Sequence, residues 1–270
     1  MDKALYSAIT NSNDFRPGDM EHFFERFQTK TNQSSYQMLI ENEKIRAGMD
    51  VLELPSGSGA IAKILVDLVG EEGQVIAVDF NQDELDLIRD QRVIKKREAA
   101  QYLSLEENSI DYVFCHLGLM LFNPLEPALK EVFRVLRDGG VLVANLIEPN
   151  TNKAFQIFSK TSLEYQQHIQ RFPGWGDPRV NEKENLEQVF HNIGFSVPLE
   201  YSKYVVSLKG SSKEIIESAK VFFQIHYMLD DSKRKEYRAL LMQQLQQLED
   251  PEKKIKLEIS CKKIRARKIY

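Results

Sequence analysis

VLELPSGSG, residues 51–59, places a short apolar strand pattern directly against a turn of small residues. Small residues let the backbone approach a ligand closely, and the helix that follows offers unpaired N–H groups at its start. The turn opens on Pro55. Proline holds φ near −65° and donates no hydrogen bond, so the reading requires that this position need neither a positive φ nor its N–H. Gly57 and Gly59 remain for the closest approach. About 20 residues on, Asp79 ends a second apolar run, QVIAVDF, where a carboxylate can accept both ribose hydroxyls of a nucleoside. Gly57 to Ala62 also matches G-x-G-x-x-A, the dinucleotide fingerprint. Two classes of nucleoside cofactor therefore fit the loop.

Outward from the loop, strand and helix patterns alternate. Strands are expected at 51–54, 74–80, 92–99, 110–116 and 141–148, and helices at 60–69, 82–92 and 126–136. Asp138-Gly139-Gly140 reads as the turn that closes the last of these helices. Such alternation implies βαβ units and a parallel sheet covered on both faces. Residues 18–46 ahead of it read as helical, with Phe23, Phe24 and Phe27 on one stripe. Beyond Pro149 the pattern predicts helix and then the loop RFPGWGDP within 150–180, a helix over 184–193 and a sixth strand over 201–210. Helices over 212–229 and 232–248 follow. The tail alternates through Leu257, Ile259 and Cys261 and then changes phase to Ile264 and Ala266, which predicts a bulge or turn between two strand segments.

The chain has 270 residues, 42% hydrophobic and 28% charged, with a net charge of −4, which suits one soluble domain with a real core. An acidic balance argues against a nucleic-acid partner. Eight cations crowd residues 253–268; they read as the solvated face of a terminal strand. Two cysteines, far apart, make neither a disulfide scaffold nor a zinc site, so no metal is expected. With no apolar leader and no stretch of about 18 apolar residues, the expected location is the cytoplasm.

VLELPSGSG, VIAVDFNQDEL, AAQYLSLEENSIDYVFCHLGLMLFNP and ALKEVFRVLRDGGVLV together resemble the class I S-adenosylmethionine-dependent methyltransferases. The resemblance is to the small-molecule branch that includes the ubiquinone and menaquinone biosynthesis methyltransferases. It covers 49–148 well and 184–195 more weakly. It implies a Rossmann-like, seven-stranded, mostly parallel sheet in the order 3-2-1-4-5-7-6, with helices on both faces and an antiparallel last strand. The whole is read as a single domain over 1–270: an N-terminal helical segment 18–46, a cofactor-binding core 49–209, a helical cap insertion 211–250 and a closing strand 254–270.

The resemblance implies S-adenosyl-L-methionine as cofactor and S-adenosyl-L-homocysteine as product. It puts Glu53 near the methionine end and Leu54, Pro55, Ser56, Gly57 and Gly59 beneath the methionine and ribose. Asp79 would hold the ribose, Phe80 would lie against adenine, and Ala99 and Ala100 would line the adenine pocket. Cys115, His116 and Leu117 would face the reacting methyl. Ala99 stands where the family commonly has an aspartate, and strand alternation turns the neighbouring Glu98 away.

His116 follows a strand end and its ordinary pKa suits a base, so it is the catalytic candidate. Phe23, Phe27, Phe172, Trp175, Phe223, His226 and Tyr227 are the substrate candidates, because their aromatic excess suits an apolar or aromatic small molecule. The expected partner is that small molecule, with the protein a monomer or homodimer. Two readings stand beside methyl transfer. One is a protein of the same fold that binds the cofactor without transferring methyl, such as a cyclase or a non-catalytic subunit. The other is a nicotinamide oxidoreductase.

Overall fold

The computed structural model describes residues 15–169 and 176–269. Seven strands form one sheet in the order β3-β2-β1-β4-β5-β7-β6. They are β1 (Asp50–Glu53), β2 (Gln74–Asp79), β3 (Val93–Arg97), β4 (Ile110–His116), β5 (Leu136–Ile147), β6 (Glu200–Gly210) and β7 (Ile255–Arg267). The pairs β1–β2, β1–β4, β2–β3 and β4–β5 are parallel, and β7 lies antiparallel to both β5 and β6. The order and the reversed last strand match the expectation.

Strands buried on both faces explain why β1, β2, β4 and β5 read as near-continuous apolar runs. One face carries Val51, Val75, Ala77, Phe114, Val143 and Leu257, under α1 (Asp19–Glu25), α2 (Ser35–Ile40) and α3 (Ala62–Val69). The same face is covered further along by α6 (Lys153–Tyr165), α8 (Ser212–Phe223) and α10 (Asp231–Gln246). The other face carries Leu52, Ile76, Val113, Leu142 and Ile264, under α5 (Leu125–Val135) and α7 (Lys183–Ile193).

Five expectations are corrected. The segment 18–46 is not one helix. Gln28 pairs with Ser207 and Ser34 as isolated bridges, and α2 restarts on a capping box in which Ser34 Oγ accepts from Gln37 N. The helix expected over 82–92 is only α4 (Gln82–Leu85). Leu87 and Ile88 instead fill space against Gly18 and Gly59, where an added Cβ would lie 2.9 and 2.7 Å from them. Asp138-Gly139-Gly140 is inside β5, not a turn ahead of it. The phase change in β7 needs no bulge, because its register against β5 and β6 runs unbroken. Leu257, Ile259 and Cys261 pack on one face of the sheet and Ile264 and Ala266 on the other, so the covered face changes while the strand runs straight.

The helix expected over 212–229 breaks at Gln224, whose φ of 49° separates α8 from the one-turn α9 (Ile225–Met228). A cleft of about 910 Å³ opens away from the carboxyl ends of the strands, lined by Asp111, Arg137, Glu200, Lys263 and Arg265 among others. Of its cations, Arg137, Lys263 and Arg265 are each ion-paired.

Candidate functional site

In an open α/β sheet ligands sit outside the carboxyl ends of the strands, where the strand order turns back. Here that place lies between β2, β1 and β4. The glycine loop leaves β1 there. Ser56 N donates to Val78 O at 2.9 Å, and Gly59 N to Ser56 O at 2.9 Å, closing the turn. Gly57 and Gly59 take φ of 51° and 80°, so both need the left-handed region. Their surroundings differ. A Cβ on Gly59 would strike Ile88, whereas one on Gly57 would meet nothing within 4 Å. The loop is packed from below at Gly59 and open above Gly57.

Pro55 does not take a positive φ, as its place in the loop requires. Its ring lies against the turn after β4: a Cβ on Gly118 would come within 2.1 Å of Pro55 Cδ. Leu54 is buried and its N donates to Phe114 O at 2.9 Å. The turns after β1 and β4 are thereby locked together.

Asp79 ends β2 and is buried. Its Oδ2 accepts from Gly57 N and its Oδ1 from Asn81 N, each at 2.9 Å. Phe80 N donates to the carboxylate as well, leaving about one of its four lone-pair sites for a sugar hydroxyl. Burial holds its carboxyl above the usual range, against the pull of those amide bonds. Phe80 is half-buried. Ala99 is exposed and Ala100 half-buried. Glu98 is taken by Ser104, whose N donates to its carboxylate at 2.9 Å, so only backbone groups at 99–100 can meet an adenine edge.

Glu53 has a task the sequence did not show. Its carboxylate accepts from Ile61 N at 3.2 Å and Ala62 N at 2.8 Å, capping the start of α3. Burial pushes it up to about 8, although the two amide bonds favour the charged form. Glu84, accepting from Gly18 N at 3.0 Å, is pushed up to about 7 by burial and by Asp79 and Glu21. Glu21 of α1 reaches the loop as well, accepting from Ser58 Oγ and pairing with Lys63 Nζ at 2.6 Å. Four carboxyls thus surround the loop. A pyrophosphate would find the start of α3 already filled by Glu53. A cationic sulfonium is favoured beside the same acids, because a nearby cation stabilises their ionised forms. The residues present fit S-adenosylmethionine and do not fit a dinucleotide.

His116 ends β4. Its Nε2 lies 2.9 Å from Ser35 Oγ, and its ring packs 4.3 Å from Tyr36 and 4.9 Å from Phe24, centroid to centroid. Desolvation lowers its pKa to about 3, so the ring is neutral. Cys115 is buried, and burial pushes its thiol up to about 12, leaving it a packing residue. Leu117 takes φ of 61° and turns the chain beside the loop.

Among the substrate candidates, Phe23, Phe27 and Phe223 belong to one aromatic layer. Phe23 contacts Phe27 at 4.5 Å and stacks on Phe222 at 5.6 Å, while Phe223 stacks on Phe158 at 4.8 Å. Phe24 joins this layer to His116. His226 and Tyr227 are buried apart from it, with Phe15 edge-on to Tyr227 at 5.8 Å. Phe172 and Trp175 lie outside the described residues.

Four neighbours of the site were missed in sequence: Glu21, Ser35, Asn145 and Tyr204. Asn145 alone carried a signal, as a polar residue inside the apolar run VLVANLI. Among the described residues no group of three or more His, Cys, Asp or Glu is placed to hold a metal ion. No described helix is long and apolar enough to cross a membrane.

Residues 52–144 match the family model described as a methyltransferase domain. Over those residues the chain is similar to methyltransferase domains, and its sheet has the strand order and reversed last strand of the Rossmann-like methyltransferase fold. The ubiquinone/menaquinone biosynthesis C-methyltransferase UbiE of Hahella chejuensis is 33% identical over 136 residues, 46% of this chain and 55% of that protein. The chain thus matches little more than half the length of such relatives. Among solved structures, a Haemonchus contortus N-methyltransferase bound to phosphomonomethylethanolamine and S-adenosylhomocysteine superposes with a TM-score of 0.60. It is 14% identical, with all of this chain and 61% of that one covered. The [4+2]-cyclase SpnF superposes with a TM-score of 0.56 at 15% identity, covering 87% of this chain and 80% of that one. At such identities the structures speak for the fold alone.

Proposed function

We propose that this chain is an S-adenosylmethionine-dependent methyltransferase acting on a small apolar or aromatic molecule, in the cytoplasm, as one functional domain. The observation that carries the reading is the pairing of open space above Gly57 with Asp79 bonded to Gly57 N beside it. The matched methyltransferase domain spans both residues. When bound, the cofactor supplies an activated methyl group, so the protein's task is alignment and exclusion of water.

Asp79 would hold a ribose hydroxyl with its remaining lone pair. Gly57 would let the backbone come close, and Phe80 with backbone groups at Ala99 and Ala100 would meet the adenine. Glu53 keeps the start of α3 capped; raised to about 8, it is mostly protonated at neutral pH until a nearby cation draws the proton off. Cys115, His116 and Leu117 form the wall toward the acceptor. His116, with a pKa near 3, does not hold a proton at neutral pH. Its role is to accept or donate one hydrogen bond with Ser35 and to keep the wall dry, not to act as a strong base. Phe23, Phe27 and Phe223, with Phe222 and Phe24, supply the apolar roof under which an aromatic acceptor would lie.

A cyclase-like protein of this fold is less supported, since the likeness to the cyclase shows fold alone while the sequence relatives are methyltransferases by name. Calorimetry with S-adenosylhomocysteine on the intact protein and on Asp79→Ala tests the reading. Micromolar binding that weakens at least tenfold in the variant supports it; absence of heat from the intact protein refutes it.

A further inference from the structure

α2 has six residues, too few to hold a helix unaided, so what grips its two ends decides where its side chains lie. It carries two of the groups that cover His116. Ser35 Oγ lies 2.9 Å from Nε2, and the Tyr36 ring packs at 4.3 Å. The leading end of α2 is held from β5 and β6: Asn145 Nδ2 and Tyr204 Oη each donate to Ser35 O at 3.3 Å. The trailing end is held from β7. Lys263 Nζ donates to the carbonyl of Glu41, the C-cap, at 2.7 Å and pairs with Glu43 at 2.8 Å. Asn42 between them takes φ of 66°, a left-handed turn that brings carbonyl and carboxylate onto one amine. Asn145 and Lys263 are direct cross-strand partners, so the two grips stand side by side on the sheet.

Lys263 and the side chain of Glu43 are both buried. A buried ammonium is costly unless its partners are in place. Arg265 does not duplicate it: Arg265 pairs with Glu43 at 3.2 Å and with Glu200 at 2.8 Å, which leaves Glu41 O to Lys263. The carboxylate of Glu41 is occupied separately, by Gln33 Nε2 at 3.1 Å. Lys263, Glu41 and Glu43 all line the cleft of about 910 Å³, where water can take up a carbonyl that the amine gives up. His116 is faced by Ser35 and Tyr36 from α2, by Phe24 from α1 and by Asn145 across the β4–β5 pair. None of these is charged, and burial alone displaces its pKa, so its titration reports how closely α2 covers it.

We propose that Lys263 is a positioning residue: from two strands away it seats α2 so that Ser35 and Tyr36 cover His116 and keep that wall dry. This deepens the methyltransferase reading, on which the meaning of the wall rests.

The test labels the full chain with nitrogen-15 histidine and reads it by NMR, with His116→Gln assigning the resonance. Lys263→Met keeps the stem and removes the amine. Lys268→Met is the control, because Lys268 is as deeply buried and its Nζ bonds Asn108 Oδ1 and Leu136 O, away from α2. In the parent protein His116 should not titrate between pH 5 and pH 8. In Lys263→Met its midpoint should climb toward the ordinary 6.5, and the Nε2 shift should leave its hydrogen-bonded value. Lys268→Met should lower Tm comparably and leave both where they are. An unmoved His116 in Lys263→Met overturns the proposal. So does an equal displacement in both variants, the result of a lysine that is merely structural. Should Lys263→Met not fold, Glu43→Gln keeps the amine, weakens its hold and carries the same test with the same two outcomes. Failure of the parent to bind S-adenosylhomocysteine in calorimetry refutes the methyltransferase reading instead, and the spectra still decide how His116 is seated.

Discussion

Gly57→Ala puts a methyl group where no protein atom lies within 4 Å. The backbone cost comes from φ of 51°, a left-handed conformation that an alanine adopts at about 1–2 kcal/mol. For a chain of this size that lowers Tm by roughly 2–4 °C per kcal/mol. The cost to a ligand is separate, because the new methyl occupies the space above the loop. Overfilling a close contact costs about 1–3 kcal/mol, roughly ten- to a hundredfold in affinity. Gly59→Ala is the control. It carries a similar backbone cost at φ of 80°, and its Cβ lies 2.7 and 2.8 Å from Ile88 Cγ1 and Cδ1. The added clash, about 1–3 kcal/mol, falls on the fold. Thermal melts and calorimetry with S-adenosylhomocysteine, run on both variants, should therefore separate. Gly57→Ala is expected to melt within several degrees of the parent and bind far more weakly, and Gly59→Ala to melt lower still. A Gly57→Ala protein that binds as tightly as the parent would refute the placement of the ligand above the loop.

Three further outcomes follow from the buried groups. Glu53 has its folded pKa raised from 4.5 to about 8, so its stabilising contribution is full below the lower value and lost as pH rises through the higher one. Glu53→Gln should flatten the fall in urea midpoint between pH 5 and pH 8, and an unchanged slope would contradict the assignment. His116 has its folded pKa lowered from 6.5 to about 3, so its contribution is full above the upper value and lost as pH falls toward the lower. Its ring resonances should show no titration between pH 5 and pH 8, and a midpoint near 6.5 would contradict its burial against Phe24 and Tyr36. Glu21→Gln removes the ion pair with Lys63 that ties α1 to the start of α3, at a cost of about 1 kcal/mol. Limited proteolysis within residues 15–30 should quicken severalfold, and unchanged cleavage would mean that the phenylalanines alone hold the helix.

The glycine loop and Asp79 were legible because strand, turn and acid follow one another at fixed spacing along the chain. Strand order came from the family resemblance, since nothing local in β7 says that it inserts between β5 and β6. The Ser34–Gln37 capping box that starts α2 was present in the sequence as S-x-x-Q, yet the helical reading ran through it, because the breaking contacts at Gln28 come from distant Ser207. Helix 82–92 failed for a similar reason: Leu87 and Ile88 have helical spacing but are drawn off to cover Gly18 and Gly59. The Ser35, His116, Asn145 and Tyr204 cluster joins residues 169 positions apart, Ser35 to Tyr204, and only its burial makes it visible. Glu53 was noticed for the right position, but its role as a cap depends on the reach of its side chain across the turn.

Because β7 sits between β5 and β6, the ribosome delivers β6 before the strand it pairs with. A growing chain that has reached residue 250 holds a nascent five-strand half and a strand with three helices beyond it, joined in register only once Ile255–Arg267 emerges. Until then the inner faces of α8 and α10 have lost much of their floor, and Leu257, Ile259 and Cys261 are the residues that supply it. The last of the seven strands is the keystone of the sheet, and clipping it should unseat the roof over the acceptor side while leaving the nucleoside side nearly whole.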